Sequence, residues 1–237
     1  MTVNQVLAFD EPAGLAPRGT LVVLPGRGER PGVYERLGRR LSADAYRVRV
    51  VADATSGLDA VVAQVRSVLE SPERPGPAVL IGSDAGALLA PRLAGAVAVD
   101  GLVLAGLPDP DRGTDVAPEA EPELRASCPS HQALLRDPER FDTGTLTAGR
   151  IPDELREPAS VAVPVLGLHG ENDEVSPLAW ARERYAALPG AELFAVADGR
   201  HDVLNASHHR SVAATVVRWL ERLRLGAELP LIIRPVA

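Results

Sequence analysis

Short, uninterrupted apolar runs separated by stretches of helical period constrain this chain more than any other feature. Thr20-Leu21-Val22-Val23-Leu24, Ala78-Val79-Leu80-Ile81-Gly82 and residues 102–107 and 161–169 are such runs. A strand with one wet face alternates apolar and polar residues, so continuous apolar runs belong to a sheet covered on both sides. Between them, Leu58, Val61, Val62, Val65, Val68 and Leu69 recur at helical spacing and form one apolar stripe. Pro72, Pro75 and Pro77 stop that helix. Residues 33–41, 85–96, 177–188 and 207–225 read as further helices, and 47–52 and 192–197 as further strands. The alternation predicts an α/β fold with a mostly parallel central sheet and helices on both faces.

A chain of 237 residues buries roughly 70–75% of its unfolded surface and needs no covalent staple. Cys128 is the only cysteine, so an intrachain disulfide is excluded and a reducing compartment is favoured. One domain over residues 1–237 is expected, interrupted at about 109–158 by an acidic, proline-rich insertion read as a small lid. The segment after Gly226 is expected to pack as an extended tail.

The net charge of −7 opposes nucleic-acid binding, which needs a concentrated basic face. Every cation other than histidine is arginine; without lysine, Schiff-base chemistry and a Walker-type phosphate loop are excluded. The first residues, Met1 to Gly14, lack the basic and apolar regions of a signal peptide. No run approaches the ~18 apolar residues of a membrane span. These features predict a cytoplasmic protein whose partner is a small-molecule substrate, and they leave the oligomeric state open.

Ligands of open α/β sheets bind at the carboxyl ends of the strands. There, Gly82-Ser83-Asp84-Ala85-Gly86 has the G-x-Nuc-x-G form of a nucleophile elbow between a strand and a helix. Glycines are needed because larger side chains at the flanks of so tight a turn collide with neighbouring backbone. The central side chain, Asp84, then stands at a helix N-terminus, where negative charge is stabilised. A shifted register would instead make Ser83 the apex, but Ile81 then stands where glycine is required.

With that elbow, three more stretches make the chain resemble the α/β-hydrolase superfamily, and within it the monoacylglycerol-lipase/lysophospholipase-like group. Leu24-Pro25-Gly26-Arg27-Gly28-Glu29 is similar to that group's H-G-x-G-E loop. Residues 168–177, from Leu168-His169-Gly170 through Asp173 to Pro177, are similar to its acid loop, and Gly199-Arg200-His201-Asp202-Val203-Leu204-Asn205 to its histidine loop. The resemblance spans about residues 20–225 and fails in the insertion. It implies the α/β-hydrolase fold, Asp84 in the nucleophile position, His201 as base, and Asp173 as the group that orients His201. It also implies an oxyanion hole made by the backbone N–H groups of Arg27 and Ala85. No cofactor and no metal are implied.

Two positions depart from the group. Pro25 replaces its usual histidine, and Asp84 replaces its usual serine. A carboxylate that attacks a carboxylic ester forms an anhydride, whereas attack on saturated carbon forms an ester that water can cleave. The aspartate thus resembles haloalkane dehalogenases and epoxide hydrolases. Yet Ala85 stands where dehalogenases carry tryptophan, and Tyr34, Tyr46 and Tyr185 all lie outside the insertion where epoxide hydrolases carry proton-donating tyrosines. The leading expectation is a hydrolase of a small apolar ester-like, epoxide or related substrate through Asp84, His201 and Asp173. The alternatives are a lyase, isomerase or cyclase using Asp84 and His201 as an acid–base pair, or a catalytically silent binding protein. Glu171 and Asp202 are expected to be solvated, and Cys128 and His131 to lie on a surface loop, two residues being too few for a zinc site.

Overall fold

The computed structural model describes residues 6–148, 151–157 and 159–234. The elements run β1 (Leu7–Phe9), β2 (Thr20–Leu24), α1 (Glu35–Ala43), β3 (Arg47–Val50), α2 (Leu58–Leu69), β4 (Ala78–Ser83), α3 (Ala85–Ala94) and β5 (Gly101–Ala105). After the short helices α4 (Glu121–Arg125), α5 (Pro129–Leu135) and α6 (Asp153–Arg156) come β6 (Val165–Gly170), α7 (Leu178–Ala186), β7 (Glu192–Val196) and α8 (His209–Leu223). The seven strands form one sheet in the order β1-β3-β2-β4-β5-β6-β7. Only β1 runs antiparallel to its neighbour.

The apolar runs divide by strand period. Leu21, Val23, Val79, Ile81, Val103, Ala105, Leu166 and Leu168 face one side, where Leu37 and Leu41 of α1 and Val212, Val216 and Trp219 of α8 cover them. Val22, Leu24, Ala78, Leu80, Leu102 and Leu104 face the other, against Val61 and Val65 of α2, Leu89 and Leu93 of α3 and Tyr185 of α7. Burial on both faces explains why these strands lack polar alternation.

Three parts of the chain differ from expectation. The strand expected over 161–169 begins at Val165, because Pro164 has no N–H to give to a ladder; its carbonyl still accepts from Leu102 N–H at 3.0 Å. β1, with only three residues, is too short to show a period. The tail turns back after α8 instead of extending: Leu229 is buried while Leu231, Ile232 and Ile233 are exposed.

The insertion leaves the sheet between β5 and β6 and folds over the loop that follows β2. Arg30 N–H donates to Arg140 O at 2.9 Å and Asp142 N–H to Gly28 O at 2.9 Å. Among the described residues no helix is long and apolar enough to cross a membrane.

Candidate functional site

The loops after β2, β4, β6 and β7 converge at the carboxyl edge of the sheet. Asp84, directly after β4, has φ 48° and ψ −119°. Such a backbone costs a non-glycine residue on the order of 1–3 kcal/mol and persists only where its surroundings over-determine it. Here Asp84 N–H donates to Ala105 O at 3.1 Å, and Asp84 O accepts from Ala87 N–H at 2.9 Å. A Cβ at Gly82 would strike the Gly86 carbonyl, and one at Gly86 the Leu24 carbonyl. The two glycines therefore let α3 start close against β2 and β4. Ser83 is buried beside the apex, not at it.

The Asp84 carboxylate is buried and heavily bonded. Oδ2 accepts from the backbone N–H of Arg27 at 2.8 Å and from its Nε–H at 2.9 Å. Oδ1 accepts from Arg27 Nη2 at 2.8 Å and stands 3.2 Å from His201 Nε2. His201 Nδ1 is 2.8 Å from Asp173 Oδ2. The other Asp173 oxygen accepts from the N–H groups of Val175 and Ser176, both at 2.9 Å. His169 Nε2 donates to Ser176 O at 2.7 Å and lies 3.1 Å from Asp173 Oδ2, bracing the same turn. Asp84, Asp173, His201 and Arg27, all expected at one site from sequence, are thus brought together. The backbone N–H of Arg27 meets Asp84's own Oδ2, and Ala85 is buried at the first turn of α3.

Each ring nitrogen of His201 faces a carboxylate oxygen. An ionised carboxylate only accepts, so with Asp84 and Asp173 both ionised the arrangement favours a proton on each nitrogen, the imidazolium form. Burial opposes that charge, but Asp173 and Asp84 outweigh it and raise the His201 pKa to about 9. Burial would likewise raise Asp84, yet the Arg27 guanidinium and His201 hold it well below the usual carboxylate range. Burial opposes Asp173 too, and the charges and hydrogen bonds of His201 and His169 depress it. Two carboxylates and two cations therefore form one buried, neutral row.

This row makes stability depend on pH. His201 has a folded-state pKa of about 9 against 6.5 unfolded, so its stabilisation is complete below about pH 6.5 and is lost as pH rises through 9. The loss is on the order of 3 kcal/mol. Asp84 and Asp173 act oppositely: their stabilisation is present above about pH 4 and fades on acidification. Chemical denaturation is expected to show stability falling between pH 6.5 and 9; a flat profile there would mean that His201 is neutral at rest.

A second buried cluster supports the loop after β2. Glu29 accepts from Gly26 N–H at 2.7 Å and from the Tyr34 hydroxyl. Burial and the nearby Asp202 charge raise Glu29 to about 7, against the pull of Arg125. Arg125, from α4 of the insertion, is fully buried. Its Nε donates to Glu121 at 2.9 Å, and its Nη2 donates to the carbonyl of Arg27 at 3.0 Å and to Thr145 Oγ1 at 3.1 Å. The Phe141 ring lies 4.9 Å from the guanidinium carbon.

Two expectations are corrected here. Asp202 is not solvated but buried and paired with His131 Nε2, and His131 is a buried residue of α5, not part of a surface loop. The reason is that α5 of the insertion closes over the histidine loop, and neither side chain remains in water. Glu171 is exposed, as expected. Among the described residues no group of three or more His, Cys, Asp and Glu side chains is arranged to hold a metal.

The side chains of Arg27, Arg125, Glu29 and His169 had no assigned role in the sequence reading. Glu29 and His169 carried a signal, since both belong to the quoted loops. Arg125 carried none, because it lies where resemblance fails. A cavity of about 640 Å³ borders Arg27, with Arg112, Arg156, Asp111, Asp115, Leu146 and Ile151 among its walls. Its wall mixes these charged groups with Pro110, Leu146 and Ile151, and of the site residues it includes Arg27 but not Asp84, Asp173 or His201.

Residues 145–228 match the Abhydrolase_4 family, described as TAP-like protein, a stretch that contains Asp173 and His201 but not Asp84. No curated protein sequence matches the chain. Among solved structures, the chain is similar to a monoacylglycerol lipase of Paleococcus ferrophilus, with 18% identity, a TM-score of 0.69, and coverage of 91% of this chain and 97% of that one. It is similar to the esterase EaEST of Exiguobacterium antarcticum, with 16% identity, a TM-score of 0.68, and coverage of 91% and 94%. MenH of S. aureus aligns with 15% identity, a TM-score of 0.63, and coverage of 92% and 98%. At these identities the likeness is one of fold, and it agrees with the strand order: the chain adopts the α/β-hydrolase fold.

Proposed function

We propose that this chain is a hydrolase that works through a covalent ester on Asp84. The observation that carries the reading is the placement of His201 between Asp84 Oδ1 and Asp173, with the N–H of Arg27 on Asp84 Oδ2. The similar folds include a lipase and an esterase by name, which supports hydrolysis as the reaction class. Attack of a carboxylate on an ester carbonyl would give an anhydride, so the electrophile that suits Asp84 is a saturated carbon bearing oxygen, as in an epoxide.

The imidazolium supplies the proton that such a reaction needs. Asp84 Oδ1 attacks the carbon, the carbon–oxygen bond breaks, and its electron pair stays on the departing oxygen, which takes the Nε2 proton of His201. His201 is then neutral, oriented by Asp173, and no longer faces an ionised Asp84. It takes a proton from water as that water attacks Asp84 Cγ. Negative charge gathers on Oδ2, where the Arg27 N–H already sits at hydrogen-bond distance. The Cγ–Oδ1 bond breaks, the product oxygen regains a proton from His201, and the new carboxylic acid returns one to His201. Absent tyrosines in the insertion are no obstacle, since His201 serves first as acid and then as base.

The test is intact-protein and peptide mass spectrometry of wild-type and His201→Gln proteins incubated with an epoxide panel. The glutamine side chain of the variant keeps an N–H near Oδ1 but cannot deprotonate water, so the first step slows and the second stops. The expected result is a stable mass gain equal to one epoxide on the peptide containing Asp84 in the variant, with little in wild type. Turnover of an epoxide by wild type without any adduct in the variant would instead favour Asp84 and His201 as a non-covalent acid–base pair.

A further inference from the structure

The geometry points to the Arg27 side chain as a catalytic residue: its Nε–H is a second donor to the oxyanion that forms on Asp84 Oδ2 when the covalent ester is hydrolysed. The assignment rests on the covalent reading above and names a further residue for its second step.

An oxyanion hole needs fixed donors within about 2.7–3.1 Å of the oxygen that gathers charge. Oδ2 becomes the carbonyl oxygen once carbon is bound to Oδ1, and it gathers charge as water adds to Cγ. Two N–H groups of Arg27 already meet it, the backbone N–H at 2.8 Å and Nε–H at 2.9 Å. Nη2, on the same planar fork, lies 2.8 Å from Oδ1, the oxygen that departs as the Cγ–Oδ1 bond breaks. The guanidinium thus spans both Asp84 oxygens whose charge changes in the second step, and it transfers no proton. Such a fork on a carboxylate fixes geometry as well as adding energy.

The main chain that carries this side chain is held by its surroundings. Gly26 N–H donates to Glu29 at 2.7 Å and Gly28 N–H to Asp53 at 2.8 Å. The Arg27 carbonyl accepts from Arg125 Nη2 at 3.0 Å and from Thr145 Oγ1 at 3.2 Å. Donors fixed in this way need no rearrangement as charge develops.

The two steps respond differently to Arg27. Before attack it stabilises the ionised carboxylate, which does nothing to speed Oδ1. Afterwards Oδ2 passes from neutral carbonyl to oxyanion, and the hydrogen bond to the ion is the stronger. Only an interaction that strengthens toward the transition state accelerates a step. The Arg27 side chain therefore acts on ester hydrolysis, whereas damage to the fold would slow both steps.

The test follows formation and loss of the Asp84 ester by mass spectrometry in Arg27→Met and Arg27→Lys proteins with His201 intact, using an epoxide that adds to the His201→Gln protein. Methionine keeps the backbone N–H and removes the side-chain donors. Arg27→Met is expected to form the ester no more slowly than wild type and to lose it about 10²–10³-fold more slowly, so the adduct accumulates. Arg27→Lys keeps the charge without the fork and is expected to fall between the two. It carries the test alone if circular dichroism shows Arg27→Met to be unfolded. Ester loss at the wild-type rate, or formation and loss slowed by the same factor, would overturn the assignment of Arg27 and leave the covalent reading standing. Absence of any ester in the His201→Gln protein overturns both.

Discussion

An Asp84→Asn protein is expected to lose essentially all turnover, by roughly 10⁴-fold or more, the scale seen when a nucleophile is removed from a cooperating set. The amide is isosteric and keeps an oxygen for the Arg27 N–H, so the elbow geometry is retained, but it does not attack carbon. The electrostatic effects are also expected to be large. Arg27 loses its buried anion, and His201 keeps only Asp173, so its pKa falls from about 9 toward the ordinary value. NMR titration of the His201 ring checks the second effect independently of substrate. A variant that retains wild-type rates, or a His201 that titrates unchanged, would remove Asp84 from the role argued for it.

Arg125→Leu is expected to destabilise the fold by about 3–5 kcal/mol, the cost of leaving buried charge without its partner. Against a total of roughly 5–15 kcal/mol for a typical protein, that approaches unfolding. The substitution leaves Glu121 without the cation at 2.9 Å, removes the guanidinium 3.8 Å from Glu29, and deprives the Arg27 carbonyl of a donor. Urea unfolding measures the loss, and adding Glu121→Leu to the variant is expected to recover part of it. A midpoint shift no greater than that of an exposed arginine, such as Arg218→Leu, would mean that the cluster contributes little.

Asp84 and Arg125 differ in how far the sequence betrays them. Asp84, Asp173 and His201 are legible because each follows a strand in a short loop whose glycines and order are dictated by local geometry. Gly82 and Gly86 are required by backbone contacts close to the elbow, and such contacts leave a mark in sequence. Arg125 reaches the loop after β2 from a distant part of the chain, and its partners have no period or spacing to reveal them. Asp202 and His131 are hidden for the same reason. A charged residue in a loop reads as solvated until the insertion that covers it is in place.

The sequence alone determined the parallel sheet, because strands buried on both faces are written as unbroken apolar runs, and it determined which loops meet at the carboxyl edge. Only the tertiary structure decided the state of the site. Whether Asp84 is a free carboxylate or half of an ion pair depends on where the Arg27 side chain goes, and whether His201 is neutral depends on how many carboxylates face its ring. Both are matters of distance between segments far apart in the chain. Electrostatic energy follows those distances and the burial around them, and neither is written in the order of residues.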